Sequence, residues 1–243
     1  LPFRWIEEFF GGLQEVAEQY NLSLIGGDTS LAQKLTINIT LMGRGKAGEV
    51  VYRKGAQAGD QIMVTGTLGN AALGLQILKS HKGDPTISRN GDSDLTELIE
   101  KHLSPTPRIA EGQLIAKNHL ASAMIDISDG LMADLGHILE ESNAGAQIWI
   151  SRLPLSEAYR RKASQYASND IDLATCGGED YELLLTTPRK KGGKLLRLFN
   201  QSGLQITPIG DIVDARHGLR LFLDDGREYT PRKKGYDHFK TPR

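Results

Sequence analysis

The densest concentration of chemistry in the sequence is Ile125-Asp126-Ile127-Ser128-Asp129-Gly130, where an apolar, strand-like run gives way to a helical pattern carrying Leu131, Leu135 and Ile138. A two-residue period puts Asp126 and Ser128 on one strand face, with Asp129 following at the helix start. Two carboxylates and a hydroxyl at a strand end suit a hard cation. Mg²⁺ takes oxygen ligands, commonly one or two carboxylates, and leaves its other positions to water and substrate phosphate. Helix capping is the competing explanation: Ser128 or Asp129 would accept a backbone N–H, worth about 1 kcal/mol, and Asp134 would favour the helix dipole. Capping leaves Asp126 without a task, and the spacing alone leaves both explanations open.

Two further junctions combine glycine with acid. Gly26-Gly27-Asp28-Thr29 follows a short apolar run, and its glycines would let backbone approach a ligand while Asp28 holds a cation. Taken singly, an ordinary turn with Asp28 bonding its own backbone is the simpler explanation. Cys176-Gly177-Gly178-Glu179-Asp180-Tyr181 has the same character and leads into a strand. Three acid-bearing junctions in one chain are harder to dismiss than one. Other features carry less. Thr65-Gly66-Thr67-Leu68-Gly69 precedes a helix but lacks the lysine and hydroxyl of a Walker A loop, so it reads as a strand-to-helix turn. The six histidines form no metal-type pair, His137 reads as structural, Cys176 has no neighbour in sequence that marks a nucleophile, and no GxSxG is present. Arg53-Lys54 would meet an anion or simply face solvent.

The elements that must position these groups follow from periodicity. Ile6, Phe9, Phe10, Leu13, Val16, Ala17 and Tyr20 make an amphipathic helix over Trp5 to Tyr20. Leu22 to Ile25 and the alternating Leu35, Ile37, Ile39 and Leu41 are expected as strands. The polar, glycine-bearing stretch from Gly43 to Asp60 then sets a domain boundary, giving an N-terminal part over 1–55 and a C-terminal α/β domain over 56–243. In the second part, strands are expected at Gln61 to Thr65, Ala123 to Ile127, Gln147 to Ile150, Tyr181 to Thr186, Ile206 to Ile212 and Leu219 to Leu223. They alternate with helices near Gly69 to Lys79, Leu95 to His102, Ile109 to His119, Leu131 to Glu141, Ser156 to Tyr166 and Lys194 to Gln201. The fold class is therefore α/β or α+β. Asp224-Asp225-Gly226 is a hairpin turn.

Composition bounds the function. The 243 residues suffice for one large or two modest domains, and 29 basic against 30 acidic residues lack the basic excess that nucleic acid demands. No run reaches the roughly 18 apolar residues of a membrane span. One cysteine cannot form an internal disulfide, which fits a reducing cytoplasm.

Taken in order, Gly26-Gly27-Asp28-Thr29, Arg53-Lys54-Gly55-Ala56 with Gly59-Asp60, Val64-Thr65-Gly66-Thr67-Leu68-Gly69, Ile125 to Leu131, Gly177-Gly178-Glu179-Asp180-Tyr181-Glu182-Leu183 and Gly235-Tyr236-Asp237-His238-Phe239 resemble the bacterial thiamine-monophosphate kinases. The earlier motifs are shared more loosely with the wider superfamily of aminoimidazole ribonucleotide synthetases, whereas the last two look specific to the thiamine kinases. The resemblance implies a two-domain fold of the aminoimidazole ribonucleotide synthetase type, homodimeric through its N-terminal domain, with the active site in the cleft between domains. It implies transfer of the γ-phosphoryl group of ATP, as co-substrate, to thiamine monophosphate with the help of Mg²⁺. By motif position, Asp28, Asp126 and Asp129 would be metal ligands, Gly27, Asp28, Arg53 and Ser128 would contact ATP, and Glu179 and Tyr236 would face thiamine monophosphate. The family's first acidic motifs have no counterpart in these 243 residues. The N-terminal domain is thus expected to be incomplete, and this chain alone to show little kinase activity. Two alternatives remain at this point: another ATP-using member of the superfamily, or a catalytically inactive nucleotide-binding or dimerisation fragment.

The residue chemistry fits the implied reaction. A phosphate monoester has a second pKa of about 6, so thiamine monophosphate is largely an ionised nucleophile at neutral pH and no general base is expected. The obstacle is bringing two anions together, which positioning and charge neutralisation overcome.

Overall fold

Runs such as Gln61-Ile62-Met63-Val64-Thr65 and Leu183-Leu184-Leu185-Thr186-Thr187 are apolar on both faces, as strands covered on both sides must be. In the computed structural model, which describes residues 1–84, 87, 91–232 and 235, they lie side by side within one sheet. Its strands are β1 (Gln61–Thr65), β2 (Ala123–Asp126), β3 (Ala144–Trp149), β4 (Leu183–Thr187), β5 (Ile206–Asp214), β6 (Leu219–Phe222) and β7 (Glu228–Tyr229), in the order β2-β4-β1-β5-β3-β6-β7. Neighbours are antiparallel except β3 and β6, which are parallel. The expected hairpin forms between β6 and β7, closed by Leu223 N–H to Arg227 O at 2.9 Å.

The chain divides into two compact units, Leu1–Arg44 and Gly45–Arg243. In the second, period-two alternation splits the core. Ile62, Val64, Ile125, Leu184 and Ile148 face α5 (Leu131–Ser142) through Leu135 and Ile138. Met63 and Leu185 face the other way, onto Ile115 of α4 (Ile109–Lys117) and Leu195 and Phe199 of α8 (Arg189–Gln201). A third cluster joins α2 (Asn70–Ser80), α3 (Ser93–Leu103), α6 (Glu157–Tyr166) and α7 (Asp170–Cys176) through Leu73, Ile77, Leu98, Ile99, Tyr159 and Ala174. Side-chain caps fix three of these starts: Asp92 for α3, Ser156 for α6 and Asn169 for α7. The sequence pattern missed α7, whose seven residues are too few to show a helical period.

In the first unit, α1 (Phe3–Gln19) forms as expected, with Trp5 and Phe9 stacked at 5.5 Å, and none of its residues is buried. The strands expected at Leu22 to Ile25 and Leu35 to Leu41 do not form. Alternation creates a strand only where a neighbour accepts its N–H and C=O groups, and no ladder partner exists for them among the described residues. Ile39 is 61% exposed there. No helix among the described residues is long and apolar enough to cross a membrane.

Candidate active site

The loop joining β2 to α5 is shaped by one buried carboxylate. Asp134 Oδ2 accepts the N–H groups of Ser128, Asp129 and Gly130 at 3.0, 3.0 and 3.1 Å. Gly130 makes the wrap possible at φ +112°. Asp134 is 2% exposed, and burial pushes its carboxyl above the ordinary range against the pull of those three donors. Of the two explanations left open for this segment, capping by Ser128 or Asp129 does not occur. The residue before α5 is Gly130, with no side-chain cap, so neither Ser128 nor Asp129 caps the helix. Asp126 ends β2 as an exposed residue, with Ser128 and Asp129 half-buried beyond it.

The loop from Gly177 to Glu182 lies directly on this one. Glu179 N–H donates to Ser128 O at 2.8 Å and Tyr181 N–H to Ile127 O at 2.9 Å. A Cβ at Gly178 would stand 2.3 Å from Ser128 O, and one at Gly130 would stand 2.8 Å from the carbonyl carbon of Cys176, so the backbones touch because both positions are glycine. Glu179 and Tyr181 occupy the left-handed region at φ +68° and +49°, a conformation that costs a non-glycine residue energy and recurs at functional loops. Tyr181 reports its surroundings: burial raises its phenol first, then the carboxylates of Glu179, Asp126 and Asp129.

The other two acids of this loop serve its anchorage. Asp180 accepts Gly69 N–H at 2.7 Å and Ala71 N–H at 3.3 Å, holding the start of α2, and burial pushes its carboxyl up to about 7. The Thr65-to-Gly69 segment is thereby the expected strand-to-helix turn, its helix N-terminus filled by an internal carboxylate in place of a phosphate. Glu182, 2% exposed, accepts Thr65 Oγ1–H at 2.8 Å and Arg108 Nε–H at 2.6 Å, and Arg108 also reaches Glu111 at 3.3 Å. One more contact reaches the loop from α3: His102 Nδ1 lies 2.9 Å from Glu179 Oε2.

Two other motifs flank this region, one running beside β2 toward its start and the other reaching the loop after it. Tyr52 O accepts Met124 N–H at 3.0 Å, and Gly55 lies against the backbone of Ser122, so the exposed Arg53 sits along the outer edge of β2. At the end of β7, Tyr229 Oη–H donates to Asp172 of α7 at 2.8 Å, and beyond the strand Arg232 N–H donates to the same carboxylate at 3.3 Å. The tail continues to Gly235, where an added Cβ would stand 3.0 Å from Asp129 O and 2.5 Å from Ala133 Cβ. Tyr236 lies outside the described residues. Gly27 and Asp28 are exposed in the first unit, where Ser30 Oγ–H bonds Asp28 at 3.1 Å. Among the described residues no three histidine, cysteine, aspartate or glutamate side chains converge on one ion position.

The structure therefore unites Asp126, Ser128, Asp129 and Glu179, whereas the backbone of Arg53 runs beside the first half of β2, back from that strand end. Sequence reasoning missed Asp134, Asp180, Arg108 and His102 as the groups that hold this loop pair, because each acts across a turn or from a distant helix.

The comparisons agree with this architecture. Residues 57–221 match the AIR synthase related protein, C-terminal domain, and residues 1–45 the corresponding N-terminal domain. Thiamine-monophosphate kinase of Salmonella typhimurium is 40% identical over 238 residues, covering 98% of this chain and 70% of that protein. The crystal structure of thiamine-monophosphate kinase from Stenotrophomonas maltophilia K279a superposes with a TM-score of 0.74 at 34% identity, covering 92% of this chain and 68% of that one. AaThiL, complexed with AMPPCP and TMP, gives 0.75 at 31% identity over 98% of this chain and 70% of that one. With identity of this order over almost its whole length and the same fold, the chain belongs to the thiamine-monophosphate kinase family of phosphotransferases.

Proposed function

We propose that the protein transfers the γ-phosphoryl group of ATP to thiamine monophosphate, giving thiamine diphosphate, at the strand end where the two glycine–acid loops meet. The observation carrying this is the backbone junction of the Asp126–Gly130 and Gly177–Glu182 loops, which bonds Glu179 to Ser128 and Tyr181 to Ile127, between Asp126 and Asp129 in the chain. The ligands held by AaThiL, AMPPCP and TMP, support the same pair of substrates.

Two carboxylates from one strand-end loop fit the donor set that Mg²⁺ draws from protein when phosphate and water complete its shell. Asp126 and Asp129 would hold the ion, with Asp28 as the further ligand that the family resemblance implies. Bound there, Mg²⁺ neutralises charge on the nucleotide's phosphates. Ser128, Gly27, Asp28 and Arg53 are the proposed ATP contacts, Ser128 through its hydroxyl and Arg53 as a countercharge. Glu179 offers a carboxylate to the cationic ring of thiamine, and Tyr236 an aromatic face. No side chain of the pair of loops is needed as a base, since the attacking phosphate is already ionised. The proposed setting is the cytoplasm and the proposed assembly a homodimer, as the family resemblance implies.

The test is Asp126→Asn. Loss of one metal ligand is expected to weaken Mg²⁺-dependent nucleotide binding and to lower turnover by orders of magnitude, since the ion contributes several kcal/mol of charge stabilisation. Asp126 is exposed, so the far-ultraviolet spectrum and melting temperature should stay those of the wild type. Unchanged nucleotide titrations at limiting Mg²⁺ would refute the assignment.

A further inference from the structure

Glu179 is held in an unusual way for a proposed substrate contact. Its side chain is 51% exposed and its backbone sits at φ +68°, yet a far less exposed neighbour on a helix lies against its carboxylate. That neighbour is His102, in the last turn of α3, with a side chain only 15% exposed. Its anchorage is firm. Leu98 and Ile99 of the same helix are fully buried against Leu73 and Ile77, and α2 and α3 touch so closely that a Cβ at Gly74 would stand 2.1 Å from Leu98 O and 3.2 Å from His102 Cβ.

His102 Nδ1 lies 2.9 Å from Glu179 Oε2, but off the direction a hydrogen bond requires, and this buried nitrogen has no other hydrogen-bond partner. A buried polar atom without a partner is costly and uncommon, and polar contacts at functional sites often align only when ligand is bound.

We infer that His102 is a positioning residue for Glu179: its Nδ1–H hydrogen-bonds the Glu179 carboxylate in the substrate-bound state and fixes the rotamer that faces thiamine monophosphate. Supporting groups of this kind, on rigid elements, hold a binding side chain to the tolerance its chemistry needs. The inference rests on the proposed substrate role of Glu179 and adds to it the residue that orients it. His102 does not touch the nucleotide contacts at Ser128 and Arg53 in this scheme, so its effect is confined to one substrate.

The experiment compares His102→Leu, which removes the donor but keeps an apolar side chain, with His102→Asn, whose amide nitrogen can replace Nδ1–H. Binding of thiamine monophosphate and of ATP is titrated separately by calorimetry, with Glu179→Gln as reference and melting temperatures as the control on folding. His102→Leu should weaken thiamine monophosphate binding about tenfold, the scale of one hydrogen bond to a charged group, while leaving ATP binding unchanged. His102→Asn should recover most of that loss. Equal weakening by both variants, equal loss for ATP, or no loss at all would overturn the inference. If Glu179→Gln weakens binding and His102→Leu does not, His102 alone is ruled out. If the wild type binds no thiamine monophosphate, or Glu179→Gln binds it normally, the substrate role of Glu179 falls and takes this inference with it.

Discussion

At the residue scale, the acids of the candidate site divide by environment. Asp126 and Glu179 face solvent, whereas Asp134, Asp180 and Glu182 turn inward to hold backbone or an arginine. Asp180 leads to a prediction about pH. Its carboxyl titrates near 3.8 without neighbours and at about 7 here, burial being the main cause. Between those values the folded protein keeps a proton that the unfolded chain has released, so this residue makes stability fall as pH rises from about 4 to about 7. Asp180→Asn cannot titrate, and its urea midpoint should therefore gain on that of the wild type between pH 5 and pH 8. A difference between the two that stays constant over this range would show that Asp180 does not titrate there. Asp180 was legible in the sequence only as part of an acidic run. Its inward turn depends on the left-handed backbone at both of its neighbours, Glu179 and Tyr181.

At the scale of elements, the site is a joint between two loops that are about 50 residues apart in sequence. Glycines at the contact are essential because the neighbours are backbone atoms, which cannot move aside as a side chain can. Gly178→Ala would push a methyl into Ser128 O, and we expect a loss of about 1–3 kcal/mol in denaturant unfolding, with turnover falling further because both loops shift. Gly136→Ala is the contrasting variant. It lies in α5 with nothing within 4 Å of its added Cβ, so better helix propensity should stabilise it by up to about 1 kcal/mol. Comparable melting temperatures for the two variants would contradict the joint. The strands and helices themselves were readable, since β1, β2 and β5 carry their apolar residues in register with the covered faces. The helix α8 shows the usual limit at boundaries: it starts at Arg189, after Pro188, and not at the expected Lys194.

At the scale of the whole molecule, the buried core belongs to one unit. Every buried residue lies at or beyond Ala56, within Gly45–Arg243, and the first unit buries none of its own. A fragment of residues 45–243 is accordingly expected to unfold cooperatively, with a melting temperature within a few degrees of the full chain. A broad or strongly lowered transition would show that the first unit contributes to the core. The sequence alone determined the element types over 61–223, apart from the short α7, and the acidic strand end at Asp126, because periodicity and glycine–acid punctuation are local properties. It also overreached at Leu35 to Leu41, where alternation was present but no strand stood beside it to complete the ladder. Only the tertiary structure decided which acids face outward and which turn inward, that Asp134 rather than Ser128 or Asp129 gathers the loop N–H groups, and that His102 lies against Glu179. Those outcomes depend on contacts between segments distant in sequence, where burial and backbone direction decide a carboxylate's partner and residue type does not.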